Sequence, residues 1–208
     1  MKMHGMEHKI WASVSFFILV YFVEYYYHII NLPFWVGWLL VILGAYMPDI
    51  DLDFGTKYHR SFWTHGPLIP LFFAIMYGLT PSWLTLSLLG FFFMGYASHL
   101  LLDIFPSNSS LFKMVWSLFA TYQTPGDIRS IPEWFERPWL GGSGIYVIVL
   151  AILFFSSSWN LLTIGFTYVW FATIVIGIIW TGLGVSIYFK HNKKKKRRGS
   201  RRRESDSG

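Results

Sequence analysis

Residues 145–189 read IYVIVLAILFFSSSWNLLTIGFTYVWFATIVIGIIWTGLGVSIYF, a block without a single Asp, Glu, Lys, Arg or His. A hydrocarbon layer about 30 Å thick takes roughly 20 apolar residues of helix to cross, so the block is too long for one span. Ser156-Ser157-Ser158-Trp159-Asn160 divides it into two. The same window, moved towards the N-terminus, finds four more apolar segments. The first runs from Ile10 to Ile30, where Asn31 and Pro33 break the chain, and the second from Phe34 to Met47. The third starts at Gly66 or Pro67 and ends near Thr80, before a turn at Pro81-Ser82. The fourth runs from Trp83 to about Phe105. Between it and the terminal block lies a polar, proline-containing stretch, Pro106 to Ser143. Within that stretch, residues 111–122 read as a short interfacial helix, and Gly141-Gly142-Ser143-Gly144 as a hinge. The expected fold is therefore an all-α polytopic membrane bundle of about six transmembrane helices.

Composition agrees. Of the 208 residues, 54% are hydrophobic, 21% aromatic and only 13% charged. Soluble domains carry about a quarter charged residues, so a soluble nucleic-acid-binding domain and a disordered chain are both excluded. The net charge of +6 is uneven: from Lys190 onward there are ten Lys/Arg against Glu204 and Asp206, which leaves the first 189 residues at −2. The basic character thus belongs to a low-complexity tail, residues 190–208, expected to be disordered and cytoplasmic and to touch anionic lipid. The absence of cysteine rules out thiolate zinc sites, iron–sulfur clusters and a cysteine nucleophile.

Orientation follows from Lys and Arg. The tail belongs inside, and six spans then put both termini in the cytoplasm. Lys2, Lys9, Lys57, Arg60, Lys113, Arg129 and Arg137 all fall on inner segments, while the outer connections near Asn31, Pro81 and Ser157 contain no Lys or Arg.

Ionisable residues at apolar spans are costly and need a reason. Most of those here fall into three clusters: Asp49-Ile50-Asp51-Leu52-Asp53, then His59-Arg60 with Thr64-His65, then His99 and Asp103. The topology, drawn without their Asp and His residues, puts all three at one cytoplasmic boundary. His99 and Asp103 are i,i+4 and share a helix face, so both can grip one ion. Asp49 and Asp51 alternate, so one can ligate while the other orients a ligand, bridges two ions or acts as general base. Asp53 and Lys57 read as solvated loop residues. Taken singly, each cluster has an ordinary structural explanation, because a His-x3-Asp pair is often only a hydrogen-bonded pair. Taken together, the sulfur-free set of Asp and His suits zinc, manganese or iron better than calcium or copper(I), with one or two ions per chain. Glu24 and His28 read as a pair snorkelling to the outer interface.

The clusters, in this order, resemble the membrane-bound metal-dependent hydrolase family, much of it catalogued as a domain of unknown function. The matching pieces are Glu7-His8, Gly44-Ala45-Tyr46-Met47-Pro48-Asp49-Ile50-Asp51, His59-Arg60 with Thr64-His65, and Gly95-Tyr96-Ala97-Ser98-His99-Leu100-Leu101-Leu102-Asp103. They cover roughly residues 1–120. Two departures stand out: the family usually has one residue fewer between the two histidines of the second cluster, and a Ser at the place of Gly66. The resemblance implies a hydrolase with a divalent metal, zinc favoured. Its layout is also distantly similar to zinc-dependent phospholipases C and single-strand nucleases, which implies a phosphoester bond. On this reading His65, His99, Asp103 and Asp49 are the leading ligands, followed by His8 and His59. Asp51 is a bridging or orienting group or the base, and Arg60 binds the substrate phosphate. The expected partners are membrane lipids and a lipid or lipid-linked substrate, with no nucleic acid. The competing expectations are a divalent-metal transporter and a non-catalytic metal-binding scaffold.

Overall fold

A computed structural model describes Val14, Ile18 and residues 34–54, 61–79, 83–104, 131–158 and 165–206. Among these residues the regular structure is entirely helical. Helix α1 (Phe34–Tyr46) runs directly into a 3-10 helix, η1 (Met47–Phe54). Helices α2 (Leu68–Leu79), α3 (Trp83–Leu102), α4 (Glu133–Ser158) and α5 (Gly165–Asp206) follow. The proposed first span, the interfacial helix at 111–122 and the Glu24/His28 pair lie outside the described residues, apart from helical Val14 and Ile18.

Helix α3 packs against both α1 and α4. Its contact with α1 is made backbone to backbone. A Cβ on Gly44 would overlap the carbonyl oxygen of Phe92, and one on Gly95 would overlap that of Val41. Two glycines facing each other across the crossing let the helices approach as closely as small residues permit in membrane bundles. On the α4 side, Phe93, Tyr96, Leu100, Trp139, Leu140, Leu150 and Phe154 form the buried core. Trp139 is its keystone: its ring stacks on Phe62 at 4.6 Å and 17°, and on Trp180 of α5 at 5.8 Å and 19°.

Helix α4 differs from expectation. The segment Gly141-Gly142-Ser143-Gly144 is not a hinge but the interior of α4, which begins twelve residues before Ile145, at Glu133. Tertiary packing explains this, although glycine inside a helix costs up to about 1 kcal/mol relative to alanine. Gly142 makes room for the Trp180 ring and Gly144 for the Leu101 side chain, while Ser143 Oγ accepts the Trp180 Nε1–H at 3.2 Å. Glu133 and Glu136 sit in the first turn, where carboxylates suit the helix dipole. Glu133, Glu136 and Arg137 therefore belong to a helix rather than to a loop, and Glu136 is buried. Pro138 lies inside α4, on its exposed side.

Helix α5 continues through the basic residues to Asp206, where the composition leads one to expect disordered chain. Lys and Arg are good helix formers, so an established apolar helix can propagate into such a segment. The glycines of α5 behave unequally. Gly177 lies under Tyr146 and Gly184 under Trp139, whereas Gly182 faces open space.

Among the described residues, two helices are long and apolar enough to cross a membrane: Glu133–Phe155 and Tyr168–Lys196, each with mean hydropathy 1.9. Their outer faces carry exposed Ile145, Ile152, Phe171, Ile176, Ile179 and Leu183. Contiguous apolar surface on this scale marks a lipid or partner contact. Helices α1 and α2, with 13 and 12 residues, are only about 20 and 18 Å long at the α-helical rise and do not cross a bilayer by themselves. Six crossings are thus not established by the helix lengths.

Candidate metal centre

Two helix ends and one turn meet at a single place. Asp49 and Asp51 leave η1 at the C-terminal end of α1, His99 and Asp103 leave the C-terminal end of α3, and His65 sits in the turn that leads into α2. All five side chains are buried.

The separation of the two η1 carboxylates follows from local geometry. A 3-10 helix has three residues per turn, so residues two apart point in different directions. Asp49 points at both imidazoles: its Oδ1 lies 3.7 Å from His99 Nε2 and 3.9 Å from His65 Nε2. Asp51 points behind His65 instead. Its Oδ2 accepts hydrogen bonds from the Ser61 backbone N–H at 2.8 Å and the Thr64 hydroxyl at 2.7 Å.

On α3 the i,i+4 spacing works as expected, with His99 Nε2 3.4 Å from Asp103 Oδ2. The same oxygen lies 3.3 Å from His65 Nε2. His99 is oriented by its other nitrogen, because Nδ1 lies 2.7 Å from the carbonyl oxygen of Ala45. A carbonyl can only accept, so Nδ1 carries the proton and donates it. In the neutral ring Nε2 then presents a lone pair to the two carboxylates. This contact depends on the glycine crossing, since Ala45 follows Gly44 and His99 lies one turn beyond Gly95.

The spacing of these atoms identifies what they suit. Distances of 3.3–3.9 Å between the His Nε2 atoms and the carboxylate oxygens are too long for good N–H···O bonds. Bonds of about 2.0–2.2 Å in tetrahedral geometry put neighbouring ligand atoms about 3.3–3.6 Å apart; the two Asp103 distances, 3.3 and 3.4 Å, fall in that range and the two Asp49 distances, 3.7 and 3.9 Å, lie beyond it. Ligand atoms of Asp49, His65 and His99 all lie within 4.8 Å of one another, so this buried group can hold a metal ion. Asp103 Oδ2 faces both imidazoles but stands outside that mutually close group of three. Buried carboxylates beside two imidazoles are stabilised by positive charge, from a bound cation or from a protonated ring.

Five of the eight residues singled out by the sequence are thus brought together: Asp49, Asp51, His65, His99 and Asp103. His8, His59 and Arg60 lie outside the described residues. Asp51 stands behind His65 rather than among the converging atoms.

Sequence reading assigned no role to Tyr96, whose hydroxyl bonds the Thr64 carbonyl and lies 3.0 Å from that of Gly66. It clamps the turn that carries His65 onto α3. Its position three residues before His99, on the same helix face, was the available signal. Tyr96→Phe keeps the ring packing and removes the clamp. It is expected to cost about 1–3 kcal/mol in thermal or denaturant unfolding, and to weaken metal binding while sparing the helical circular dichroism. Unchanged metal affinity in Tyr96→Phe would mean the turn is held without it.

Comparison of the chain with family models, with curated proteins and with solved structures finds no match.

Proposed function

We propose that the chain is an integral membrane metal-dependent hydrolase, a six-span helical bundle of the cell membrane with both termini cytoplasmic. It acts on a phosphoester of a lipid or lipid-linked substrate at the cytoplasmic membrane boundary. The observation that supports this reading is the convergence of Asp49, His65, His99 and Asp103, from three separate elements, at one end of an apolar bundle. Two imidazoles and two carboxylates without sulfur favour zinc over manganese or iron.

A bound divalent ion supplies Lewis acidity, lowering the pKa of water and offsetting charge on phosphoryl oxygens. The protein's part is to keep the donors fixed and leave one side open. The Asp49 side chain, 10% exposed against 0% for both histidines and 4% for Asp103, marks that side. A site buried at the end of an apolar bundle lets a headgroup reach the ion while its acyl chains remain in lipid. Arg60 is the cation assigned to the phosphate, by its place in the second cluster. A metal transporter would need ionisable groups continuing across the apolar layer, and apart from Glu24 and His28 the proposed spans lack them.

The test is turnover in a bilayer. Zinc-loaded protein in vesicles containing phosphatidic acid and phosphatidylglycerol is expected to release inorganic phosphate or a phosphorylated headgroup. A chelator and His65→Ala should each stop the release. Stoichiometric metal without turnover on phosphomonoesters or phosphodiesters would favour a metal-binding scaffold. Zinc accumulation in the vesicle lumen would favour a transporter.

A further inference from the structure

The hydroxyl of Thr64 lies within hydrogen-bond distance of three polar atoms and has one proton to give. Asp51 Oδ2 is 2.7 Å away, His65 Nδ1 3.1 Å and the Ser61 carbonyl 3.2 Å. Where that proton goes decides which nitrogen of His65 faces the metal centre with a lone pair. If it went to Nδ1, the neutral ring would carry its own proton on Nε2, pointed at Asp49 and Asp103, and could not ligate through that atom. The carboxylate is the nearest acceptor and the charged one, so it takes the proton. The Thr64 oxygen is then left as acceptor for His65 Nδ1–H. Asp51 does not do this directly. Its Oδ2 already receives the Ser61 N–H and the Thr64 hydroxyl, and its distance of 3.5 Å to His65 Nδ1 is long for a hydrogen bond.

We propose that Thr64 is a positioning residue that, anchored on Asp51, sets the tautomer of His65 so that Nε2 is the ligand atom. The order is Asp51 carboxylate, Thr64 hydroxyl, His65 Nδ1–H. Outer hydrogen-bond partners of this kind fix ring orientation and tautomer at metal-binding histidines. The two imidazoles are thereby set in one way by two devices: a backbone carbonyl, Ala45, for His99, and a relayed carboxylate for His65. The inference rests on the metal-centre reading above, but the tautomer itself is measurable without metal.

Valine has the shape of threonine without the hydroxyl, which separates hydrogen bonding from packing. Thr64→Val is expected to lower zinc affinity on the order of 10–100-fold, and Thr64→Ser to restore most of it. Asp51→Asn can keep a carbonyl oxygen towards Ser61 and Thr64, so it should cost less than Thr64→Val. Were Asp51 itself a ligand, the order would be reversed. The deciding measurement is 15N NMR of histidine-labelled protein, with and without zinc, at alkaline pH where imidazoles are neutral. Wild-type His65, assigned by loss of its signals in His65→Ala, should carry its proton on Nδ1 in both forms, and Thr64→Val should shift the metal-free ring towards Nε2–H. A wild-type ring protonated on Nε2, or a tautomer indifferent to Thr64→Val, overturns the proposal. Failure of the wild type to bind zinc would overturn the metal reading separately, because the metal-free tautomer still decides the role of Thr64.

Discussion

His99→Ala is expected to reduce zinc affinity by about 100-fold or more. Structural zinc sites are worth about 10–16 kcal/mol, which over four ligands is about 3 kcal/mol each. The loss should be at the upper end here, because His99 faces both Asp49 and Asp103. Its removal leaves those carboxylates converging with only His65 opposite. Competition between the protein and a chromophoric chelator, followed by equilibrium titration, reads the change. His99→Ala with unchanged affinity would move the centre elsewhere in the chain.

Gly95→Ala is expected to act almost as strongly from a distance. The added methyl group meets a backbone carbonyl, that of Val41, and no rotamer change can relieve the overlap. Helices α1 and α3 must separate, which carries the Ala45 carbonyl away from His99 Nδ1 and shifts Asp49, one turn below Ala45. Overpacking of this kind costs about 1–3 kcal/mol, at the upper end when backbone is the obstacle. The expected outcome is a lower unfolding midpoint together with weakened metal binding. Gly182→Ala is the control, since Gly182 has open space around it and should change neither. Equal behaviour of the two variants would contradict the close crossing of α1 and α3.

The contrast between these glycines shows what was legible in the sequence. Proline and polar breaks marked the limits of α1, α2 and α3 and the end of α4 at Ser158, because those signals act locally. Gly141-Gly142-Ser143-Gly144 read as a hinge by the same local logic, and the reading failed because Trp180 and Leu101, distant in sequence, fill the spaces those glycines leave. The continuation of α5 into the basic segment was missed for a related reason: composition weighs charge, whereas helix propagation depends on the preceding turn. At the candidate metal centre, the expectation that the clusters converge holds for Asp49, Asp51, His65, His99 and Asp103, and the i,i+4 spacing paired His99 with Asp103. The different directions of Asp49 and Asp51 were not legible, since they depend on η1 having three residues per turn. The sequence reading gave no role to Ala45 or Tyr96, neither of them a ligand type, which hold the two imidazoles in place.

The most direct test of the account is the metal content of the detergent-purified, metal-replete protein by elemental analysis, beside the His65→Ala/His99→Ala double variant. The account predicts one or two zinc, manganese or iron ions per chain in the wild type and none in the double variant, with helical content preserved in both. A wild-type protein without stoichiometric metal, or a double variant that retains it, would contradict the assignment of Asp49, His65, His99 and Asp103 as a metal centre.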